Sequence, residues 1–360
     1  MLALLFPTTF ARRSTMVTLP RFHNPIPKSV TARQNTASAA AEYRGLFRPG
    51  AESKRREKYM TMVNHYYDLV TDIYEYGWGE SFHFAPRNKG ESFDASIRRH
   101  ERFLAEQLDL QPGQEVLDVG CGVGGPMREI ARVSGANITG VNNNAYQLEK
   151  LAAYNERDGL QKRCRGVQAD FLAMPFDDDT FDAAYTIEAT CHAPDRTAVF
   201  SEIFRVLRPG ARFAGFEWCM TDAWDPEDPH HEKVRAGIEE GDALPPLPHY
   251  RVIVDALEDA GFEVETHRDL AETSDPATPW YLPLTGKELS LSSFPRTPVG
   301  QLFTHTLLRV GELLRVAPEG SGEITRFLIR GARNLAEGGR LGIFTPMYFF
   351  VARKPPAAAG

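Results

Sequence analysis

The sequence predicts an α/β protein built on a parallel, doubly wound sheet. Three observations predict this fold class: short apolar runs of strand length recur between residues 115 and 270, stretches with a helical period separate most of them, and a glycine-rich turn follows the first run. The composition agrees, because 42% hydrophobic and 25% charged residues are typical of soluble globular chains. With 360 residues, the chain is long enough for one large domain with additions.

The elements follow one another in the order that such a sheet requires. A helical period covers residues 58–74, an irregular aromatic stretch follows at 74–84, and a second helical period covers about 93–108. Strands are then predicted at 115–119, 137–141, 166–169, 181–187, 212–218 and 262–270, and helices at 127–134, 146–158, 195–207 and 250–260. Strands that alternate with helices favour parallel pairing, because each helix returns the chain to the same end of the sheet.

The carboxyl-terminal part departs from this alternation. Residues 271–341 hold a proline-rich segment with Trp280 and one predicted amphipathic helix at 299–316, and the apolar run 343–353 is predicted to be a further strand. If that strand joins the main sheet, residues 271–341 are an insertion before the last strand. The predicted divisions are an extension at 1–41 that is disordered or carries targeting information, an amino-terminal helical and aromatic lid at 42–105, a core at 106–270, the insertion at 271–341, and a final strand and tail at 342–360.

The charge balance and the cysteines argue against several functions. Lys and Arg total 41 against 48 Asp and Glu, and this net charge of −7 argues against nonspecific nucleic-acid binding, which depends on neutralising phosphates. The first acidic residue is Glu42, so the basic start indicates either an organelle transit peptide or an untargeted disordered tail. No uncharged run reaches the roughly 18 residues that span a bilayer. The four cysteines form no C-x-x-C pair, and no metal site is predicted.

A glycine-rich loop directly after the first predicted strand indicates a cofactor site. Asp118 lies on that strand, two residues before Gly120-Cys-Gly122, and such glycines let backbone N–H groups approach a ligand at the N-terminus of the next helix. The further glycines at 124 and 125 do not complete the G-x-G-x-x-G pattern of dinucleotide sites. A dinucleotide is therefore not the expected cofactor.

Residues 117–125 resemble motif I of the Rossmann-like S-adenosylmethionine-dependent methyltransferases. The resemblance implies that the loop faces the amino-acid end of S-adenosylmethionine, that Asp118 organises the loop from beneath, and that Asp170-Phe171 lies at the adenine. Many relatives end the second strand with an acid that binds the ribose hydroxyls; here Asn142 stands there, and an amide can both donate to and accept from a diol. The residues expected to bind the cofactor are Asp118, Gly120, Gly122, Gly124, Asn142, Asn144, Gln147, Asp170 and Phe171.

Further stretches resemble the signature regions of the sterol 24-C-methyltransferases. They are 74–84, 185–194, 216–222, 279–284, 317–320 and 344–355, and 289–294 resembles the plant and algal type. The resemblance implies methyl transfer from S-adenosylmethionine to C24 of a Δ24-sterol such as cycloartenol, which gives a 24-methylene sterol. Two alternatives stay open: a plastid prenyl-lipid methyltransferase of the tocopherol type, and a non-catalytic sterol-binding protein on the same fold.

The aromatic stretch suits such a reaction. An isolated alkene is a weak nucleophile that cannot be activated by deprotonation, so the protein must hold it in line with the methyl group. Attack leaves a carbocation, which aromatic faces can stabilise without reacting. Expected catalytic groups are Tyr76, Trp78, His83, Glu188, His192 and Glu217, and the expected walls of the sterol pocket are Tyr74, Phe82, Phe84 and Trp218.

The last step, loss of a proton from the new methyl group, needs a base. Glu188 and Glu217 lie at the carboxyl ends of predicted parallel strands, where open α/β sheets bind their ligands. Glu75 and Glu80 are further candidates, and the sequence does not choose among them. His192 is expected either to orient Glu188 or to bind the sterol hydroxyl.

Sterols are nearly insoluble in water, so the resemblance also implies contact with a membrane. The expected location is the cytosolic face of the endoplasmic reticulum, with peripheral attachment, rather than the plastid. The predicted helix at 299–316 carries few cationic residues, so it is expected to roof the sterol pocket. A homo-oligomer is compatible with the sequence.

Overall fold

A single seven-stranded sheet organises the described part of the protein. The structure is a computed structural model that describes residues 59–285 and 321–357. The strand order is β3-β2-β1-β4-β5-β7-β6. The strands are β1 (Glu115–Val119), β2 (Asn137–Asn142), β3 (Cys164–Gln168), β4 (Phe181–Ile187), β5 (Leu207–Met220), β6 (Glu263–Asp269) and β7 (Phe344–Arg353). The first five pair in parallel, whereas β7 is antiparallel to both β5 and β6.

Helices cover both faces of the sheet. They are α1 (Tyr59–Trp78), α2 (Phe93–Gln107), α3 (Gly125–Ser134), α4 (Ala145–Arg157), α5 (Arg196–Val206), α6 (Pro229–Gly241), α7 (Tyr250–Asp259) and α8 (Ser321–Leu341), with short 3₁₀ turns at Thr190–His192, Ala271–Thr273 and Leu282–Thr285. Buried apolar residues of α2, α3, α6 and α8 pack on one face, and those of α5 and α7 pack on the other. The doubly wound α/β prediction is therefore confirmed.

Most predicted elements agree with the structure to within a few residues, and the differences have simple causes. Helix α1 continues to Trp78, beyond the predicted end at 74. Strand β5 begins at Leu207 rather than at 212, because Leu207 already pairs with Phe181 before a register irregularity that ends at Arg212. The final apolar run does return to the sheet as β7, but in the antiparallel direction. An apolar run indicates a buried strand without indicating its direction.

The sequence did not predict α6 or α8. Helix α6 is rich in charge, and α8 contains four glycines, which lower the helical propensity of an isolated segment. Helix α8 lies within 271–341, where the sequence predicted only the helix at 299–316. The helix predicted at 299–316 lies outside the described residues, as do the extension at 1–41 and the resembling stretches 289–294 and 317–320.

The glycines of α6 and α8 allow these two helices to cross closely. A Cβ atom at Gly241 would overlap the Cα atom of Gly331, and one at Gly237 would overlap the side chain of Asn334. The helix crossing attaches α8 to the face of the sheet on which α2, α3 and α6 pack. Among the described residues, no helix is long and apolar enough to cross a membrane.

Replacing Gly241 by Ala is expected to lower the free energy of unfolding by about 2 kcal/mol, the usual cost of overpacking. The obstacle is backbone of α8, so rotation of a side chain cannot relieve it. Urea denaturation followed by circular dichroism measures the change. An unchanged midpoint would show that the two helices can move apart without loss.

Candidate active site

A cleft opens at the carboxyl ends of β1, β2 and β4, where open α/β sheets bind ligands. Its walls are the glycine loop after β1, the end of β2, the loops after β3 and β4, helix α1 and the lid strap, which we define as residues 79–92 between α1 and α2. The cleft encloses about 910 Å³, counting the part that opens to solvent.

The glycine loop turns tightly beneath the cleft. The N–H groups of Gly120 and Cys121 donate to the carbonyl of Val141 at 2.9 and 3.2 Å. Gly120 has φ +82°, and a Cβ atom there would overlap Ala189 of the loop after β4. A Cβ atom at Gly122, by contrast, would meet nothing within 4 Å, so the space beside this glycine is free for a ligand.

Asp118 lies at the end of β1 under this loop. Its Oδ2 accepts a hydrogen bond of 2.9 Å from the hydroxyl of Tyr185 on β4, and burial raises the pKa of Asp118 to about 7. The carboxyl group also lines the cleft. It therefore joins two neighbouring strands at the point where the loop leaves the sheet.

Amide side chains occupy the end of β2. Asn142 Nδ2 donates to Gln147 Oε1 at 2.8 Å, and Asn144 Oδ1 caps α4 by accepting from the N–H of Gln147. Gln147 Nε2 also faces Thr71 of α1 at 3.2 Å. All three amides line the cleft, but Asn144 and Gln147 already hold α4 and α1 in place. Asn142 is thus the best placed of the three for a ribose diol.

The loop after β3 brings Asp170 and Phe171 to the same cleft. Asp170 Oδ1 accepts from the N–H of Leu172 at 2.9 Å, which fixes the turn that presents the Phe171 ring. The predicted cofactor residues therefore all line one cleft, except Gly124, which is the N-cap of α3. Carboxylate, amide and glycine backbone groups with open space between them fit S-adenosylmethionine, because that cofactor offers a ribose diol, an adenine and an amino acid to bind.

Glu188 is one of four acidic residues that line the cleft, together with Glu80, Asp118 and Asp170. It follows β4 in the left-handed conformation, with φ +53°, and its N–H donates to the carbonyl of Phe216. Its Oε1 accepts from the N–H of Phe84 at 2.7 Å, and its Oε2 accepts from Trp218 Nε1 at 2.8 Å. Burial raises the pKa of Glu188 to about 8, against the opposing effects of His83 and of these two donors. A carboxylate with this pKa can accept a proton near neutral pH.

Aromatic rings surround Glu188. Phe84 lies within 6.2 Å of Trp78 and within 6.1 Å of Trp218, measured between ring centroids. Tyr74 contacts Phe82 at 5.7 Å. The predicted aromatic residues thus form one cluster, and Phe82 lines the cleft directly. The side chain of Tyr76 lies outside the described part of the structure.

The sequence-based prediction missed three residues near this cluster. Trp280 contacts Phe84 at 5.0 Å, and Phe344 contacts Trp218 at 5.4 Å. Tyr67 of α1 lines the cleft, and the sequence analysis placed it only within the helical period at 58–74. Trp280 and Phe344 belong to resembling stretches, which was the available signal, but their proximity to Glu188 depends on the return of β7 to the sheet.

The two predicted histidines bind different partners. His83 Nδ1 is 2.8 Å from the carbonyl of Phe84, and His83 Nε2 is 3.2 Å from Glu101 Oε1. Although burial acts to lower the pKa of His83, its hydrogen bond to Glu101 raises it overall. Both ring nitrogens face acceptors, an arrangement that favours the protonated ring. His192 bonds to Tyr67 and to the carbonyl of Ala243, so the structure does not place it as an orienting partner of Glu188.

Glu217 does not lie in the cleft. Successive residues of β5 point to opposite faces of the sheet, so Trp218 lies on the side of Glu188 while Glu217 faces α5, 3.7 Å from Arg196 Nε. Burial raises the pKa of Glu217 to about 7, but its side chain is away from the cofactor loop. The prediction that Glu217 lies beside Glu188 at the ligand-binding edge of the sheet is therefore wrong, because the pleat of β5 directs Glu217 to the opposite face.

Glu75 and Glu80 are held in ion pairs that fix the lid. Glu75 accepts from Lys150 Nζ at 2.5 Å and from the hydroxyl of Tyr154 at 2.6 Å. Glu80 accepts from Arg128 at 2.5 Å and from Arg157 at 2.6 Å. Although burial acts to raise the pKa of Glu80, these two arginines lower it overall, which makes Glu80 a poor base. Both acids attach the lid to α3 and α4.

Replacing His83 by Gln is expected to move the acid limb of the pH–rate profile to higher pH. The positive charge of His83 lowers the pKa of Glu188, so its removal lets that pKa rise and leaves less carboxylate at a given pH. The measurement is kcat/KM against pH, which reports groups of the free enzyme. His100→Gln is the matched control, because burial lowers the pKa of His100 and keeps this neighbour neutral. An unmoved limb in His83→Gln would contradict the electrostatic link.

The strand order and the cleft together define a class I S-adenosylmethionine-dependent methyltransferase. Models of two families match this chain: the methyltransferase domain over residues 117–215 and the sterol methyltransferase C-terminal region over residues 291–356. The chain is 53% identical over 320 residues to the cycloartenol-C-24-methyltransferase of Arabidopsis thaliana, which covers 89% of this chain and 95% of that protein. It is 49% identical over 315 residues to the sterol 24-C-methyltransferase of Saccharomyces cerevisiae, with 86% and 82% covered. This chain belongs to the sterol 24-C-methyltransferase family.

Solved structures with the same fold are more distant in sequence. A geranyl diphosphate C-methyltransferase from Streptomyces coelicolor superposes with a TM-score of 0.56 at 18% identity and covers 82% of this chain and 98% of that one. A cyclopropane synthase from Mycobacterium tuberculosis superposes with a TM-score of 0.63 at 16% identity and the same coverage. These similarities show the fold. The family membership selects the sterol enzyme among the hypotheses that the sequence left open.

Proposed function

We propose that this protein transfers a methyl group from S-adenosylmethionine to C24 of a Δ24-sterol, with cycloartenol as the preferred substrate, and releases a 24-methylene sterol. One observation carries the proposal. A single cleft joins the glycine loop to Glu188, a buried carboxylate whose surroundings are aromatic. Similarity to enzymes named for cycloartenol and sterol C24 methylation supports the choice of substrate.

The residues of the cleft have distinct tasks in this reaction. When bound, S-adenosylmethionine would supply the electrophilic methyl group, and the electron pair of the broken S–C bond would stay on its sulfur. The chain holds the alkene in line with that group, and the π electrons of C24=C25 form the new C–C bond, which leaves a cation at C25. Aromatic walls such as Phe82 exclude water and stabilise the charge, each by ~1–2 kcal/mol when desolvated.

Glu188 completes the reaction as the base. A hydride shift from C24 to C25 moves the positive charge to C24. A proton then leaves the new methyl group for a carboxylate oxygen of Glu188, and the C–H electron pair becomes the 24(28) double bond. The donors on both oxygens hold the carboxylate in place until it accepts the proton.

A substrate competition tests the proposal. Purified protein receives radiolabelled S-adenosylmethionine together with equal amounts of cycloartenol, lanosterol and zymosterol, and the products are separated by chromatography. The expected result is a labelled 24-methylene product that derives mainly from cycloartenol. Absence of label in every Δ24-sterol would contradict the function, and preference for another sterol would contradict the substrate choice.

We also propose peripheral attachment to the cytosolic face of the endoplasmic reticulum. The support is chemical, because the proposed substrate resides in membranes and must enter the cleft from them. Flotation of the full chain with liposomes, with and without cycloartenol in the bilayer, measures the attachment. Fractionation of cells that express the tagged chain should recover it with microsomes, and recovery in plastids would overturn the location.

A further inference from the structure

The hydrogen bonds around His192 determine where the proton of Tyr67 lies. His192 Nδ1 is 3.3 Å from the carbonyl of Ala243, and a carbonyl can only accept, so Nδ1 carries the ring proton. Burial lowers the pKa of His192 to about 4, so the ring is neutral and Nε2 has a free lone pair. Nε2 is 2.9 Å from the hydroxyl of Tyr67. The hydroxyl must therefore donate its proton to His192.

This donation makes the Tyr67 oxygen a hydrogen-bond acceptor, and not a donor, toward the cleft. Its only proton points at His192, so the oxygen presents lone pairs to any other neighbour. Tyr67 lines the cleft together with Glu188 and Phe82, and its ring packs edge-on against His192 with centroids 5.5 Å apart. The adjacent Tyr66 differs, because its hydroxyl bonds to Tyr74 and to the carbonyl of Gly241, outside the cleft lining.

We propose that Tyr67 is a catalytic residue whose oxygen, oriented by His192, stabilises the cation that forms on the sterol side chain. The inference rests on the proposed function. Fixed dipoles that point their negative end at a developing positive charge act mainly in the transition state, because they are already oriented before the reaction begins. His192 is the positioning residue, since it takes the hydroxyl proton away from the cation.

The kinetic test compares two single-atom deletions on adjacent residues. Tyr67→Phe keeps the ring and removes the oxygen, and it is expected to lower kcat by about 10- to 100-fold with KM for S-adenosylmethionine within about twofold. Tyr66→Phe is the matched control and should change kcat by less than about threefold. A higher KM with unchanged kcat in Tyr67→Phe would overturn the proposal, because it would place the oxygen in ground-state binding.

A binding test separates this inference from the function on which it rests. The probes are a sterol with a protonated amine in place of C25 and its uncharged carbon analogue, each titrated into the full chain with S-adenosylhomocysteine present. Wild-type protein should prefer the charged probe, and Tyr67→Phe should reduce that preference about tenfold. His192→Phe, which removes the acceptor, should reduce it as well. An unchanged preference in Tyr67→Phe overturns the inference, whereas wild-type protein that binds neither probe overturns the proposed function.

Discussion

Replacing Glu188 by Gln is expected to lower kcat for the 24-methylene product by about 10³-fold, because the cleft then lacks its proton acceptor. The amide has nearly the same shape, but its NH2 group would face one of the two donors that hold Glu188, so the effect includes one lost hydrogen bond besides the lost basicity. Steady-state turnover with labelled S-adenosylmethionine and cycloartenol measures it. Activity close to that of wild type would show that another group, or water, removes the proton.

The pH dependence gives the same prediction an independent readout. Glu188 must be ionised to accept a proton, and burial raises its pKa to about 8 in the free protein. The value of kcat/KM should therefore rise with pH through about 8 and level off above it. A profile that is flat between pH 6 and 9 would contradict the role of Glu188.

Glu217→Gln is the matched control for this experiment. Glu217 is also buried, and burial raises its pKa to about 7, but it lies on the opposite face of β5. We expect its turnover to stay within a few-fold of wild type and its acid limb to remain near that of wild type. If Glu217→Gln abolished turnover while Glu188→Gln did not, the two roles would have to be exchanged.

Replacing Gly125 by Ala is expected to lower kcat/KM by about 10²-fold, because the lid strap could no longer pack closely against the start of α3. A Cβ atom at Gly125 would overlap the carbonyl oxygen of Glu80 and the hydroxyl of Ser81. The first obstacle is backbone, so the strap itself must move. The strap contains Phe84, whose N–H donates to Glu188. A displacement of the strap therefore also displaces the carboxylate that we propose as the base.

Gly90→Ala is the control for Gly125→Ala. Gly90 lies in the same strap with φ +77°, but a Cβ atom there would meet nothing within 4 Å. We expect it to cost about 1 kcal/mol of stability through backbone strain and to leave kcat/KM nearly unchanged. Equal activity losses in both variants would indicate general sensitivity of the strap rather than a specific contact with α3.

The cofactor side of the cleft was largely predictable, because its signals are local. Asp118, Gly120 and Gly122 follow one another on a strand and a turn, and the carboxyl ends of parallel strands meet at one edge of the sheet. The same rule brings Asn142 and Asp170 to that edge. The substrate side was less predictable. Its aromatic residues come from α1, the strap, β5 and β7, and no local pattern states how these segments pack together.

Strand and turn patterns within the chain are sufficient to specify the doubly wound sheet, the glycine loop and the family, because each depends on residues that are close in sequence. Contacts between distant segments decide the rest. The pleat of β5 turns the side chain of Glu217 away from the cleft. Arginines on α3 and α4 form ion pairs with Glu80. Burial raises the pKa of Glu188, while two donors from other segments oppose that rise and hold its carboxylate in place. Basicity and access to a substrate depend on which groups surround a side chain, and only the packed structure supplies those neighbours.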